Sequence, residues 1–260
     1  MVRVMGFVVG LWKLGLALAV ATGPPAPVVT EALRRGPFET YHFVPTVPLR
    51  TIVLFGSGDG GWGHVETKIC TLLERHGCYA VGIDCKKYAD TDYDGVTLSA
   101  DYATIAADAA RRAGKKNVPV IFGGWSMGAV QALAASGGAG QRAQHLVGLL
   151  LMSMDRRGRY GLRFLDTVGF LPKGDNTFAV ADFTDAVANL RVVQYSAKGD
   201  WMNDVSWITK LASPHRLFEV PDAGHDFNGV DESFQVLLLK GLDWILDSAK
   251  PAGDERHRSS

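Results

Sequence analysis

Asn117-Val-Pro-Val-Ile-Phe-Gly123, Gly124-Trp-Ser-Met-Gly128 and Ala129-Val-Gln-Ala-Leu-Ala-Ala135 run on without a break. The first piece is an apolar run of strand length and the last a small-residue helix former, so Gly-x-Ser-x-Gly sits between a strand and a helix. The chain has 30 glycines, and the five-residue pattern alone means little in it. The context gives it meaning. A serine on a tight strand-to-helix turn is held in a strained conformation, and glycines two residues to either side let neighbouring backbones approach closely. Ser126 is therefore the candidate nucleophile, and the N–H of Met127 is placed to face an oxyanion.

A serine nucleophile of this kind is followed in chain order by an acid and then a histidine, each past a strand end. Leu190-Arg-Val-Val-Gln-Tyr-Ser196 alternates as a late strand and leads into Ala-Lys-Gly-Asp200, while Asp204 lies four residues on. Asp200 is the preferred acid and Asp204 the alternative, since aspartates also serve as caps and turn residues. His215-Arg-Leu-Phe-Glu-Val220 is a further strand, followed by Pro221-Asp-Ala-Gly-His225. Of the seven histidines, His64, His76, His145 and His215 fall in or beside predicted elements, His42 near the start of the fold and His257 in the tail. His225 alone stands where a general base is required.

Upstream, Arg50-Thr-Ile-Val-Leu-Phe55 predicts a buried strand ending in Gly56-Ser-Gly-Asp-Gly-Gly-Trp62. A glycine-rich loop in that place supplies the second oxyanion N–H, from Asp59 or a flanking glycine. It has neither the Lys-Ser/Thr of a phosphate loop nor dinucleotide spacing, and no cofactor is expected. Trp62, Trp125 and Asp226, beside these motifs, are candidate substrate contacts. No His/Asp pattern suggests a metal.

The other elements alternate. Helices are predicted over 66–76, 98–113 and 233–246, and strands over 79–83 and 146–152. This βαβ alternation predicts an α/β-hydrolase fold, with a mostly parallel central sheet and helices on both faces. Residues 154–189 interrupt the pattern as either a small cap or a long connection.

Arg3 and Lys13, the apolar Leu14-Gly-Leu-Ala-Leu-Ala-Val20 and the small-x-small Ala19-Val-Ala21 predict a cleavable signal peptide over 1–21. Residues 22–37 read as a linker, 38–249 as one domain and 250–260 as a disordered tail. Without Arg3 and Lys13 the exported chain keeps 25 basic against 27 acidic residues, and no basic run suits nucleic acid. Cys70, Cys78 and Cys85 form neither a disulfide framework nor a metal set.

Four stretches together, Gly56-Ser-Gly-Asp-Gly-Gly-Trp62, Gly77 to Tyr88, Gly124-Trp-Ser-Met-Gly-Ala129 and Gly224-His-Asp-Phe-Asn-Gly229, make the chain resemble the VirJ/AcvB family of bacterial exported α/β-hydrolase-like proteins. The likeness spans nearly all of residues 50–247. Ser-Gly-Asp-Gly-Gly-Trp is its most diagnostic part, because ordinary hydrolases carry His-Gly there. The chain departs from the family at Trp125, Met127 and Val130, over Asp84 to Tyr88, and after Asp200.

The resemblance implies periplasmic hydrolysis of the aminoacyl ester of aminoacylated phosphatidylglycerol, chiefly the lysyl form, with peripheral contact to the membrane. A lysyl group carries two ammonium charges near neutral pH. Asp59, Asp226 and the Asp90-Thr-Asp-Tyr-Asp94 loop are candidates to meet them, although such a run is usually a solvated face. Two other readings stay open: an esterase or thioesterase for another substrate, and a binding protein or secretion accessory on a hydrolase scaffold.

Overall fold

The computed structural model describes residues 23–137, 140–227 and 231–247. The expected signal peptide and C-terminal tail lie outside them. The chain runs β1 (Pro27–Thr30), β2 (Phe38–Phe43), β3 (Thr51–Gly56), α1 (His64–Arg75), β4 (Cys78–Ile83), α2 (Cys85–Tyr88), α3 (Gly95–Arg112), β5 (Val120–Trp125) and α4 (Met127–Gly137). It continues as β6 (Leu146–Met152), β7 (Arg157–Arg159), β8 (Thr177–Ala179), β9 (Arg191–Ala197), β10 (His215–Val220) and α5 (Asp231–Asp247).

One eight-stranded sheet has the order β1-β2-β4-β3-β5-β6-β9-β10. β2 runs antiparallel to both of its neighbours, β1 and β4, and all the other neighbouring strands are parallel. The central strands are apolar along their whole length because both faces are covered. Successive side chains point to opposite faces. Ile52 and Leu54, Leu149 and Leu151, and Val192 pack with Leu98, Tyr102 and Ile105 of α3 and Leu133 of α4. Val53 and Phe55, Leu150 and Met152, and Val193 and Tyr195 pack with Ile69 and Leu73 of α1 and with Leu238, Leu242 and Ile245 of α5. All described elements and both cores lie between Pro27 and Asp247.

The expected linker over 22–37 is corrected by the structure. Pro27–Thr30 pairs with β2, from Pro27 opposite Tyr41 to Thr30 opposite Phe38. Leu33 is buried, and the N–H groups of Arg34 and Arg35 donate to the Asp101 carboxylate at 2.6 and 3.3 Å. A four-residue edge strand that opens on proline has little pattern of its own. The three cysteines are free and buried, and burial pushes the Cys78 thiol up to about 12.

Connections reverse direction at β3/β5, where β4 lies to one side of β3 and β5 to the other. The carboxyl ends of the strands there open a crevice, the usual place for a site in an open α/β sheet.

His42 on β2 is held by Thr40 Oγ1 and the Tyr79 hydroxyl, each at 2.9 Å. Burial foremost, then the Arg112 charge, lowers its pKa from 6.5 to about 4, against the opposing pull of Asp108. The unfolded chain takes up this proton near pH 6.5 and the native protein only near 4. The His42 environment therefore destabilises the fold progressively as pH falls between those values. In urea unfolding, His42→Gln should flatten the loss of stability between pH 6.5 and 4 by roughly 1–2 kcal/mol, discounted for partial exposure. An unchanged slope would place the acid sensitivity elsewhere.

Candidate active site

Ser126 stands between β5 and α4 with φ 53°, a left-handed conformation that costs a non-glycine residue energy. Three backbones crowd it. A Cβ on Gly124 would lie 2.4 Å from the Gly128 carbonyl carbon, and one on Gly128 would lie 2.2 Å from the Gly56 oxygen. Glycine is obligatory at both positions, as the sequence pattern requires. Ser126 N donates to Met152 O at 2.9 Å, and the Ser126 carbonyl accepts from Ala129 N and Val130 N to start the helix. The Met127 N–H, first in α4, has no intrahelical acceptor and lies at the positive end of the helix.

His225 follows β10, and its Nδ1 donates to Asp200 Oδ2 at 2.8 Å. The Asp200 side chain is fully shielded from solvent, and its other oxygen accepts from Met202 N at 3.0 Å. Burial alone would raise the Asp200 carboxyl. The hydrogen bond and charge of His225, with the Met202 amide, outweigh it and hold the group below the usual carboxylate range. With Nδ1 committed to Asp200, Nε2 is the nitrogen left for proton transfer. Asp204 turns elsewhere: its two oxygens accept from Ser206 N and Ser206 Oγ at 3.0 Å, capping a local turn.

Ser126, Met127, His225 and Asp59 line one cavity of about 840 Å³, part of it open to solvent. In the glycine-rich loop Ser57 N donates to Ile83 O and Gly61 N to Gly58 O. Glu66, buried in the first turn of α1, accepts from Gly58 N at 3.3 Å and Gly63 N at 3.0 Å. The Asp59 N–H makes no backbone–backbone hydrogen bond among the described residues; with the Gly60 N–H it faces the Asp59 carboxylate. Burial pushes the Asp59 carboxyl up, against the pull of His225, the Asp59 and Gly60 amides and Lys86.

Residues 154–189 build the opposite wall with the small β7–β8 sheet and a 3-10 turn at Asp166–Val168. The two arginines of this wall that line the cavity are committed. Arg159 Nε pairs with Asp166 at 2.9 Å, and Arg157 donates to Pro172 O and Thr177 Oγ1. Asp155, by contrast, faces the cavity without a salt bridge among the described residues, and burial raises its carboxyl. Sequence reasoning missed Asp155 and Glu66. The Gly63-x-x-Glu66 spacing before a helix was the available signal for Glu66; Asp155 had none, because irregular chain brings it to the cavity.

Three expected substrate contacts stand away from the cavity lining. Trp62 stacks on Tyr41 at 4.8 Å between centroids and donates to Thr67 Oγ1 at 3.1 Å. Its ring fills the space over Gly82, where a Cβ would lie 2.1 Å from it. Trp125 donates Nε1–H to the His225 carbonyl at 2.7 Å, with its ring 5.3 Å from the imidazole, so it anchors the histidine loop. Asp226 lines a separate cavity with His64, Lys68 and Phe227. The Asp90–Asp94 loop is structural as well: Asp90 pairs with Arg35, Asp92 takes Arg163 at 2.6 Å and Asn176 at 3.1 Å, and Asp94 caps α3 through Thr97 N. Among the described residues no group of three His, Cys, Asp or Glu could hold a metal ion, and no helix is long and apolar enough to cross a membrane.

The fold is shared with solved α/β hydrolases. An α/β serine hydrolase homologue from Coxiella burnetii superposes with TM-score 0.60 at 13% identity, covering 85% of this chain and 98% of its own. A soluble variant of monoglyceride lipase from Saccharomyces cerevisiae, solved with a substrate analogue, gives 0.62 at 15% identity over 89% of this chain and 98% of its own. An α/β serine hydrolase without lid from Xanthomonas campestris gives 0.58 at 16% identity, over 85% and 94%. At these identities the likeness establishes the fold alone. No curated protein matches in sequence. The sequence profile of the bacterial virulence protein (VirJ) family matches residues 50–244, and the chain belongs to that family.

Proposed function

We propose that this protein is an exported serine hydrolase that cleaves the aminoacyl ester of aminoacyl-phosphatidylglycerol, with lysyl-phosphatidylglycerol as the principal substrate. The observation that carries the reading is the Asp200–His225 hydrogen bond at the cavity that holds the strained Ser126. Ser126 Oγ attacks the ester carbonyl while His225 Nε2 takes its proton. The oxyanion rests between the N–H groups of Met127 and Asp59. Collapse breaks the ester C–O bond, and His225 returns the proton to the departing glycerol oxygen. Water, deprotonated by His225, then attacks the acyl-enzyme and frees the amino acid and Ser126. Asp200 holds the imidazole tautomer and stabilises the imidazolium. Asp59 and Asp155, carboxylates on opposite walls without salt bridges among the described residues, favour an acyl group bearing ammonium charge. Export by residues 1–21 brings the enzyme to the periplasm, where the lipid is met.

Lysyl-phosphatidylglycerol in detergent should release free lysine with the wild-type protein. Ser126→Ala should lower the rate by about a thousandfold or more. Asp200→Asn should cost about the same, whereas Asp204→Asn should stay within a few-fold. No lysine release with Ser126 still labelled by a fluorophosphonate would keep the hydrolase and discard the lipid substrate. Failure of both would discard the enzyme and favour a binding role.

Asp59→Asn and Asp155→Asn should each reduce kcat/KM for lysyl esters about tenfold more than for neutral esters. Since burial raises both carboxyls, the preference for lysyl esters should fade on acidification at a higher pH than ordinary carboxylates would give. Equal losses on charged and neutral esters would refute recognition by charge.

A further inference from the structure

The exposed large apolar side chains are not scattered. Of ten among the described residues, Phe164, Leu165, Val168, Phe170 and Trp201 lie on one rim, and these include every aromatic member of the set. Phe164 is 78%, Phe170 64% and Trp201 80% exposed. The first four project from a single turn, closed by Thr167 N to Phe164 O and Phe170 N to Leu165 O. Trp201 joins them from the β9 side, since a Cβ on Gly169 would lie 3.4 Å from its ring. The rim continues into the cavity, whose lining includes Gly169, Phe170 and Met202.

We propose that this rim is a docking surface for an anionic lipid bilayer, into whose interface Phe164, Leu165 and Trp201 insert. Three observations favour lipid over a protein partner. Anything seated on the rim also covers the cavity mouth; a protein would seal it, whereas a bilayer would present ester headgroups to Ser126. The side chains are an indole and phenyl rings on an exposed tip beside polar backbone, the composition that partitions to the membrane interface. Exposed cations stand beside them for anionic headgroups: Arg156 shares a cleft with Gly169 and Trp201, in which Asp155 and Asp204 also lie, and Lys173 stands three residues past Phe170, both cations without an ion pair among the described residues. The proposal rests on the reading of the cavity as an ester-hydrolysing site, and it locates where that site meets its substrate.

The test uses the chain from residue 23 onward, which holds both cores, with phosphatidylcholine vesicles with or without phosphatidylglycerol. The protein should sediment with the phosphatidylglycerol vesicles. Brominated acyl chains should quench a fluorescence component that Trp201→Phe removes. The double variant Phe164→Ser/Leu165→Ser should bind vesicles at least about tenfold more weakly, yet hydrolyse a water-soluble short ester at the wild-type rate and unfold at the wild-type temperature. Absence of vesicle binding, equal binding by the double variant, or quenching that survives Trp201→Phe would overturn the proposal. A wild-type dimer abolished by the double variant, with no vesicle binding, would overturn it in favour of a second copy. Vesicle binding without any esterase activity would sink the catalytic reading and leave the docking surface standing.

Discussion

The contact between the end of β3, the end of β5 and the first turn of α4 is the constraint on which the site depends. Gly56, Gly124 and Gly128 bring three backbones so close that a single methyl group on any of them would need to overlap a main-chain atom or the Cys85 sulfur. The approach fixes the sharp turn, and the turn holds Ser126 at positive φ above the sheet. It also leaves the Met127 N–H at the helix start, beside the loop that carries Asp59. The proposed nucleophile and oxyanion donors are thus placed by one packing arrangement. The strain at Ser126 is borne by a core of fully buried strands.

The second half of the constellation is held more locally. Asp200 and His225 come from the ends of adjacent parallel strands, β9 and β10, paired from His215 opposite Val192 to Val220 opposite Ala197. The two loops are tied together by Gly199 N to Ala223 O at 3.1 Å. Trp125, directly before the nucleophile, then fastens the His225 carbonyl to β5. Trp125 thus bears on the position of the imidazole, and it lies outside the cavity lining.

Much of this was legible in the sequence because strong periodicity and glycine spacing reflect covalent and steric limits. The β6 and β10 boundaries coincide with the expected 146–152 and 215–220. Asp200 and not Asp204 is the carboxylate that His225 meets, and of the two it stands nearer the end of β9. The tryptophans and Asp226 illustrate what proximity in sequence cannot give. Trp62 lies three residues past Asp59, yet its ring turns back over Gly82 to cover the sheet. Asp226 adjoins His225 but faces the α1 side. Successive residues in a loop diverge by directions that no period encodes. Asp155 was invisible for the complementary reason, since long-range packing alone brings it to Ser126.

The basic run Asp155-Arg-Arg-Gly-Arg-Tyr160 shows how far charge pattern can mislead when read without backbone accounting. An irregular segment leaves carbonyls without ladder partners. Here guanidinium groups partner them: Arg159 donates to Asp175 O at 2.6 Å and Lys173 O at 2.7 Å, and Arg157 to Pro172 O at 3.0 Å. Arg159 adds its pair with Asp166, both side chains largely shielded. Spent on the backbone in this way, these cations give the cavity wall rigidity and not affinity for anions. Of the carboxylates that line the cavity, Asp59 and Asp155 have no ion pair among the described residues. A wall built from arginine is therefore compatible with the cationic acyl group proposed above, because the charge that counts is the charge left over after the loop has satisfied its own carbonyls.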